Sequence, residues 1–200
     1  MNKRKRIYLA RHGQVAGYER TPVYGHTDVE ITDVGRLQME HLAERLRLTD
    51  LSAIYCSDLK RTQLGAHIIG RYHDVPHHAY PDLREVHFGD WEGLTLEKIR
   101  ERFPEDLEKR KSDIVAFVPP GGGESIGQLS GRVLTCVQKI LKRHEEEDIL
   151  IVAHGGVNRV ILCHALELDL SHLFNLHQGY GCLNIIDYFP DATLVKLVNG

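Results

Sequence analysis

Histidine and arginine side chains stand at three points of the chain, close behind short apolar runs. The three segments are Arg11-His12-Gly13, the stretch from Ser57 to Arg61, and His154-Gly155-Gly156. A glycine after each histidine permits a close approach of the backbone to a small ligand. The guanidinium groups of Arg11 and Arg61 are planar, permanently charged and suited to phosphate oxygens. These residue types predict a local site for an anionic ligand.

An alternation of apolar runs and helical segments is expected to position these residues. Strand-length runs separated by longer segments of helical period are typical of a parallel sheet with crossover helices. The strands are predicted at 7–10, 53–56, 149–153, 182–188 and 193–198, and the helices at 33–48, 59–72, 95–103, 126–144 and 157–166. The last two strands should form a hairpin. Ligands bind beyond the carboxyl ends of such strands, so the three segments should converge.

Local sequence features give further predictions about individual elements. Thr32 or Asp33 is the expected cap of the first helix, and Ser125 caps the long helix that follows the Pro-Pro-Gly-Gly-Gly stretch. The apolar positions of 33–48, which include Val34, Leu37 and Leu48, are expected to share one face. The polar stretch that ends near residue 81 contains two prolines and is predicted to be irregular.

Length and composition restrict the class of protein. A chain of 200 residues is predicted to form one domain over 1–200. With 25 Lys plus Arg against 28 Asp plus Glu, the net charge of −3 gives no general electrostatic reason to bind nucleic acid or an anionic membrane. No run approaches about 18 apolar residues and the start lacks a signal-peptide pattern, so a cytoplasmic location is expected. The four cysteines show no disulfide pattern and are predicted to be reduced and mostly buried.

Six segments along the chain form an ordered set. They are LARHGQ at 9–14, YGHTDVEITDVGRLQ at 24–38, YCSDLKRTQ at 55–63, LREVHFGDWEG at 83–93, PGGGES at 120–125 and VAHGG at 152–156. Together they resemble the histidine phosphatase superfamily, branch one, the phosphoglycerate mutase-like group. An Arg-His-Gly triplet alone occurs by chance in many proteins, whereas six matches in order do not. The resemblance implies a three-layer α/β/α sandwich with a mostly parallel sheet.

The resemblance also implies a mechanism and the residues that carry it. His12 would attack phosphorus through a neutral ring nitrogen and form a phosphohistidine. Arg11, Arg61 and His154 would hold the three equatorial oxygens of the phosphoryl group, so that no metal ion or other cofactor is needed. Glu85 would protonate the leaving alkoxide and then deprotonate the attacking water.

Contacts with the substrate are also expected from residues next to these five. Four residues are predicted to contact the substrate: Gln14, Gly13, Ser57 and Gly155. Three positions depart from the family pattern: Val15, Tyr18 and Gly65. The family commonly has an Asn that holds phosphate where Tyr18 stands, so this contact is not predicted here.

Two other kinds of site are not supported. His73, His77 and His78 lie in a polar stretch without a partner at helical spacing, so a zinc site is not predicted. The three glycines at 121–123 resemble a phosphate loop, but no Gly-Lys-Ser/Thr follows them. A P-loop nucleotidase is therefore excluded from the leading hypotheses.

Three functions remain open: a phosphomonoester hydrolase, a phosphoglycerate mutase that uses the same phosphohistidine, and a member that only binds phosphorylated ligands. Mutases of the superfamily generally carry a longer insertion between the acid and the second histidine. Here the span from Glu85 to His154 is predicted to hold one short helix, one loop and one long helix, which leaves little for a lid. We therefore favour hydrolysis of a small phosphate ester.

The identity of the leaving alcohol rests on a shorter resemblance. The stretch 177–183, HQGYGCL, is similar to the Gln-Gly-Cys stretch of α-ribazole phosphatases, as are the short chain and the FGDWEG segment. This implies α-ribazole 5′-phosphate as the substrate, with a broader small-metabolite phosphatase as the alternative. A homodimer is left open by the sequence.

Overall fold

The computed structural model describes residues 4–20 and 23–200. Its strands are β1 (Lys5–Arg11), β2 (Leu51–Cys56), β3 (His77–Ala79), β4 (Asp148–Ala153), β5 (Leu183–Tyr188) and β6 (Thr193–Leu197). They form one sheet in the order β3-β2-β4-β1-β5-β6. The first four of these strands run parallel, and β5 and β6 are antiparallel to their neighbours. The predicted mostly parallel sheet and its C-terminal hairpin are confirmed.

Helices cover both faces of the sheet. They are α1 (Asp33–Leu46), α2 (Lys60–Gly70), α3 (Leu96–Arg102), α4 (Pro104–Ser112), α5 (Ile126–Leu141) and α6 (Gly155–Ala165). Successive residues of a strand point to opposite faces, and β1 shows the result. Ile7 and Leu9 belong to the core under α5 and α6, whereas Tyr8 and Ala10 belong to the core under α1 and α2. The three-layer α/β/α sandwich is confirmed.

Two helix starts follow the predicted capping residues. The hydroxyl of Thr32 accepts the N–H of Gly35 at 3.0 Å at the start of α1. At the start of α5, Ser125 and Gln128 form a reciprocal capping box with bonds of 2.8 and 3.1 Å. Each cap contributes about 1 kcal/mol to helix stability.

The predicted buried face of α1 is wrong in part. The helix ends at Leu46, and Val34, Leu37 and Leu48 are 51%, 54% and 88% exposed. Met39, Leu42, Ala43 and Leu46 form the packed stripe instead. These four recur at i, i+3, i+4 and i+7, which places Val34 and Leu37 on the opposite side of the helix.

Within the described residues, one strand and one α-helix were not predicted from the sequence. The stretch predicted to be irregular contains β3, which is only three residues long and pairs with β2 at the edge of the sheet. Pro104 occupies the first turn of α4, where its missing N–H is not needed. The residue that was predicted to end the short helix therefore begins another.

The structure confirms the prediction for the cysteines and leaves the prediction of a single domain untested. All four cysteines are free and buried, as expected. Among the residues that the structure describes, no helix combines the length and the apolar character needed to cross a membrane. The single domain over 1–200 includes residues 1–3 and 21–22, which lie outside the described ranges, and it stays a prediction.

Candidate active site

The register of two parallel strands places His12 beside His154. Arg11 pairs with Ala153 at the ends of β1 and β4, and the N–H of His12 donates to the carbonyl of Ala153 at 3.1 Å. The residue that follows each strand is therefore a histidine at the same edge of the sheet. The two ring centroids are 5.1 Å apart in an edge-on arrangement, and both side chains are buried.

The ring of His12 has a defined protonation. Its Nδ1 lies 2.8 Å from the carbonyl oxygen of Gly13. A carbonyl only accepts, so Nδ1 carries the proton and Nε2 keeps a free lone pair. Burial, followed by the positive charges of Arg11 and Arg61, holds the pKa of His12 well below its usual value of 6.5. His12 is thus a neutral imidazole whose Nε2 is available as a nucleophile.

Arg11 is held from one side and keeps further donors free. Its Nη1 donates to the carbonyl of Gln178 at 2.5 Å, and its guanidinium lies 4.0 Å from the ring centroid of Tyr180. The buried Nε has no hydrogen-bond partner within the described part of the chain. Stacking on an aromatic ring orients the guanidinium and contributes about 1 kcal/mol.

Arg61 is almost completely buried, and its donors are directed by backbone carbonyls. Its Nη1 donates to Thr27 at 2.9 Å, its Nη2 to Gly25 at 2.7 Å, and its Nε to Nδ1 of His154 at 3.3 Å. Burial lowers the pKa of Arg61 from its ordinary value, but a guanidinium of this kind remains charged at neutral pH. A guanidinium has five N–H groups, so two remain for an anion.

The carboxylate of Glu85 lies at the first turn of α6. The N–H of Gly156 donates to Oε2 at 3.0 Å, and the N–H of Val86 donates to Oε1 at 2.9 Å. The partial positive charge of a helix N-terminus favours a carboxylate at this place. The helix that begins after His154 therefore also orients Glu85.

A cavity of about 210 Å³ brings these groups together. The charged or potentially reactive side chains that line this cavity are those of Arg11, His12, Arg61 and Glu85. The remaining lining residues are mostly apolar or aromatic: Val15, Val23, Tyr24, Gly25, Phe88 and Tyr180. The cavity thus has a polar end for an anion beside aromatic walls.

A second, smaller cavity of about 100 Å³ adjoins the first. Both cavities share Glu85 and Phe88, and Arg110 of α4 and Phe117 line the second one. Because α4 is an additional element between Glu85 and His154, the predicted content of that span is wrong. The segment from α4 to Pro119 forms one side of the site.

The two glycines that follow the histidines make room for protein groups. A Cβ on Gly13 would lie 2.1 Å from the carbonyl oxygen of Gly35, at the start of α1. A Cβ on Gly155 would lie 3.0 Å from Nη1 of Arg159 and 3.5 Å from Cζ of Arg11. Both glycines are therefore required by close packing within the protein, and the expected close approach to a ligand and the substrate contacts by Gly13 and Gly155 stay predictions.

Gln14 and Ser57 are engaged with neighbouring side chains. The amide oxygen of Gln14 accepts the hydroxyl of Thr32 at 2.8 Å, which ties it to the cap of α1. Ser57 is fully buried behind His154, and its Oγ lies 2.8 Å from Nε2. The structure places Ser57 where it supports His154 instead of in the cavity, and a substrate contact by Gln14 stays a prediction.

The three departures from the family pattern occupy different surroundings. Val15 is buried and lines the larger cavity. Tyr18 lies on a short 3-10 turn and is 38% exposed. A Cβ on Gly65 would come within 3.1 Å of Met39, so this glycine lets α2 pack closely on α1.

Some residues of the site were not singled out from the sequence. Tyr180 stacks on Arg11, the carbonyls of Gly25 and Thr27 orient Arg61, and Thr62 lies behind Ser57. Gly25, Thr27 and Thr62 fall within segments that carry the family resemblance, and Tyr180 falls within the stretch 177–183, but nothing in the sequence indicates what they contact. Separately, no group of three or more His, Cys, Asp or Glu in the described ranges is arranged to hold a metal ion.

Comparison with known proteins agrees with this geometry. The family model of the histidine phosphatase superfamily (branch 1) matches residues 7–200. The chain belongs to that superfamily. Among solved structures, Bacillus stearothermophilus YhfR superposes on this chain with a TM-score of 0.89 at 30% identity over 96% of each chain. The fold and the family resemblance are thereby confirmed.

Two relatives carry names that describe an activity. This histidine phosphatase is 27% identical over 196 residues to the adenosylcobalamin/alpha-ribazole phosphatase of Salmonella typhimurium, covering 97% of this chain and 96% of that one. It is 35% identical over 157 residues to the metal-independent phosphoserine phosphatase of Arabidopsis thaliana, covering 78% of this chain and 66% of that one. The family and these relatives identify the chain as a phosphoric monoester hydrolase.

Proposed function

We propose that this histidine phosphatase hydrolyses a small phosphorylated metabolite through a phosphohistidine on His12, without a metal ion. The observation that carries the proposal is the neutral His12, with its Nδ1 bonded to Gly13 and the guanidinium groups of Arg11 and Arg61 around it. A neutral imidazole nitrogen between two permanent cations suits nucleophilic attack on an anionic phosphoryl group.

In the first half-reaction, Nε2 of His12 forms a bond to phosphorus and the bond from phosphorus to the ester oxygen breaks. Charge spreads over the equatorial oxygens, where Arg11, Arg61 and His154 stabilise it. The leaving oxygen takes a proton from Glu85, which lies in the same cavity as His12. In the second half-reaction, Glu85 takes a proton from water, and the water oxygen attacks phosphorus as the bond to Nε2 breaks.

Hydrolysis is preferred over phosphoglycerate mutation. Both relatives compared above are named phosphatases, and one of them is named metal-independent. A mutase must retain its phosphohistidine until the second acceptor oxygen is placed, which requires the exclusion of water. A protein that only binds phosphorylated ligands would not need the Glu85 carboxylate in the same cavity as His12.

Within small metabolites, α-ribazole 5′-phosphate is the substrate that we propose to test first. The similarity to the Salmonella enzyme extends over almost the whole chain. Tyr24, Phe88 and Tyr180 line the cavity with aromatic rings, which suit stacking against a flat base. We expect the highest kcat/KM on this ester within a panel that includes 3-phosphoglycerate, phosphoserine and a sugar phosphate. A preference of about tenfold or more for another member would reject α-ribazole phosphate, but not phosphatase activity.

The decisive experiment on the reaction compares His12→Asn with His67→Asn, an exposed histidine on α2. His12→Asn should lower kcat by about three orders of magnitude or more, because no other group can carry the covalent intermediate. His67→Asn should retain wild-type activity. Enzyme quenched in base during turnover should carry phosphate on His12, detected by phosphopeptide mapping.

Two further readouts complete this experiment. Activity should survive a strong chelator, and 3-phosphoglycerate should yield inorganic phosphate in preference to its isomer. More than about a tenth of wild-type kcat in His12→Asn would overturn the assignment of the nucleophile. Restoration of a chelator-inactivated enzyme by magnesium or zinc would overturn the metal-independent mechanism.

A further inference from the structure

Glu92 is a carboxylate of the FGDWEG segment that the reaction described above does not use. It directly follows the short 3-10 helix Gly89–Trp91, and its side chain is only 13% exposed. The basic group that approaches it within the described residues is His87, whose Nε2 lies 3.7 Å from Oε1, beyond hydrogen-bond distance. A mostly buried carboxylate without a close cation needs other donors to offset its lost hydration.

Four donor contacts surround the Glu92 carboxylate. Oε1 accepts the N–H of His26 at 2.9 Å and that of Phe88 at 3.1 Å. Oε2 accepts the hydroxyl of Thr27 at 2.6 Å and its N–H at 2.9 Å, and this N–H is shared with the carbonyl of Tyr24 at 2.7 Å. Three of the four contacts come from His26 and Thr27. Glu92 therefore fixes the backbone of these two residues.

The approach of Glu92 to this segment requires a glycine at position 25. Gly25 has a φ of +49°, in the left-handed region that favours glycine. A Cβ there would lie 2.1 Å from Oε1 of Glu92 and 2.8 Å from the carbonyl oxygen of Val86. Because the second contact is with backbone, moving the Glu92 side chain alone would not make room. Glu92 and the segment 25–27 are therefore closely fitted to each other.

The carbonyls of the same segment hold Arg61. Nη2 donates to Gly25 at 2.7 Å and Nη1 donates to Thr27 at 2.9 Å. Arg61 makes no hydrogen bond to a carboxylate within the described part of the chain. A carboxylate bonded directly to the guanidinium would occupy the planar donors that suit a phosphoryl group. Glu92 instead acts on the segment that Arg61 contacts, which leaves those donors free.

We propose that Glu92 is a positioning residue for Arg61: it holds the segment 25–27 so that the carbonyls of Gly25 and Thr27 direct the guanidinium toward a bound phosphoryl group. The inference rests on the proposed phosphatase reaction, in which Arg61 holds a phosphoryl oxygen. Arg61 and Gly25 line the larger cavity, whereas Glu92 is not among its lining residues. Glu92 therefore acts through Arg61 and not by contact with the substrate.

Charge and positioning predict opposite effects of removing Glu92. The loss of a carboxylate near an anion site should by charge alone strengthen the binding of phosphate, because a repulsion is removed. The loss of its hydrogen bonds should weaken the binding of phosphate, because the guanidinium is no longer held in the productive direction. The sign of the change in phosphate affinity therefore distinguishes the two effects.

The first test measures the affinity for inorganic phosphate by calorimetry at neutral pH, without turnover. Glu92→Ala should weaken binding by about tenfold, and it should cause no further loss in the Arg61→Ala background. The matched control is Asp169→Asn, which changes an exposed carboxylate that accepts the N–H and the hydroxyl of Ser171, and it should bind phosphate like the wild type. Unchanged or stronger binding in Glu92→Ala, or an equal loss in both backgrounds, would overturn the proposal.

The second test measures kcat/KM on an aryl phosphate, whose good leaving group needs no proton from Glu85. Glu92→Ala should lower kcat/KM by about tenfold to a hundredfold alone, and by less than about twofold in the Arg61→Ala background. Thr27→Val removes one bond to Oε2 and should lose about threefold to tenfold, whereas Thr27→Ser keeps the hydroxyl and should follow the wild type. Losses of equal size in both backgrounds would reject the inference.

The two tests separate this inference from the proposed function. Phosphate binding with the expected coupling, but without hydrolysis of any ester, would reject phosphatase activity and leave the role of Glu92 standing. An active enzyme in which Glu92→Ala and Arg61→Ala lose activity independently would reject the inference alone. If Glu92→Ala does not fold, as judged by circular dichroism, Thr27→Val and Thr27→Ser decide it in the same two backgrounds.

Discussion

The backbone N–H of Gly156 donates to the carboxylate of Glu85 at 3.0 Å. A Cβ on Gly156 would lie only 2.3 Å from Oε1 of Glu85, so a larger residue at this position displaces the carboxylate. Since α6 begins directly after His154, one helical turn positions both Glu85, the proposed acid, and His154, the proposed phosphate-binding histidine. The glycine pair at 155–156 thus serves the site through packing and backbone donation.

Gly156→Ala should impair the proposed acid without removing it. We expect kcat/KM on an alkyl phosphate to fall by about tenfold to a hundredfold, because a displacement near 1 Å is enough to misplace a catalytic group. Steady-state kinetics on glycerol phosphate measure this effect. Gly131→Ala in α5 is the matched control, because no atom lies within 4 Å of its added Cβ. An equal loss in both variants would contradict the packing argument.

Glu85→Gln should lower kcat to different extents on esters with different leaving groups. An alkoxide needs a proton as it departs, whereas nitrophenolate does not, so we expect a much larger loss of kcat on an alkyl phosphate than on nitrophenyl phosphate. The ratio of the two losses should be about a hundredfold or more. Single-turnover measurements on both esters provide it. Equal losses would mean that Glu85 acts on the second half-reaction or supports the fold.

Arg61→Ala should raise KM and lower kcat together, because its guanidinium acts on bound substrate and on the transition state alike. A combined loss of about three orders of magnitude in kcat/KM is expected. Lys60→Ala removes the neighbouring exposed cation, which pairs with Glu30, and should change neither constant. Thermal unfolding of both variants checks the fold, since Arg61 also binds the carbonyls of Gly25 and Thr27. Wild-type values of kcat and KM in Arg61→Ala would show that Arg61 does not act on the substrate.

A buried ion pair far from the cavity predicts a pH dependence of stability. Asp187 accepts Nε and Nη2 of Arg6 at 2.6 and 2.8 Å. Burial alone would raise the pKa of Asp187, but the hydrogen bonds and charge of Arg6 outweigh it and hold the pKa below 3.8. The pair therefore stabilises the fold above the unfolded pKa of about 3.9, and this contribution is lost as the pH falls through the folded pKa.

Asp187→Asn should lower the free energy of unfolding by about 2 kcal/mol at neutral pH, because it leaves the partly buried Arg6 without its counter-charge. The difference from the wild type should shrink as the pH is lowered below about 3.9. Urea unfolding at several pH values measures both quantities. A difference that is constant with pH would show that the charge of Asp187 does not carry the effect.

Local patterns determined much of this protein. Apolar runs followed by His12 and His154 located two neighbouring strand ends, and Thr32 and Ser125 marked the starts of α1 and α5. These features depend on residues close in sequence, so the hydrophobic period and the chemistry of helix capping are sufficient to predict them. The weakest local signals failed. The strand β3 has only three residues, and the start of α4 was mistaken for a boundary because proline at a first turn resembles a helix stop.

Only the tertiary structure decided which distant groups meet. Arg11 bonds the carbonyl of Gln178, 167 positions away in the chain, and Ser57 meets His154 across 97 positions. Such contacts follow from strand register and from the packing of loops at one edge of the sheet, which no local pattern encodes. The proton of the neutral His154 ring lies on Nε2 because Nδ1 accepts Nε–H of Arg61, which is 93 positions away in the chain. Hydrogen-bond direction is therefore a property of the assembled network, because each donor is assigned only after all of its acceptors are in place.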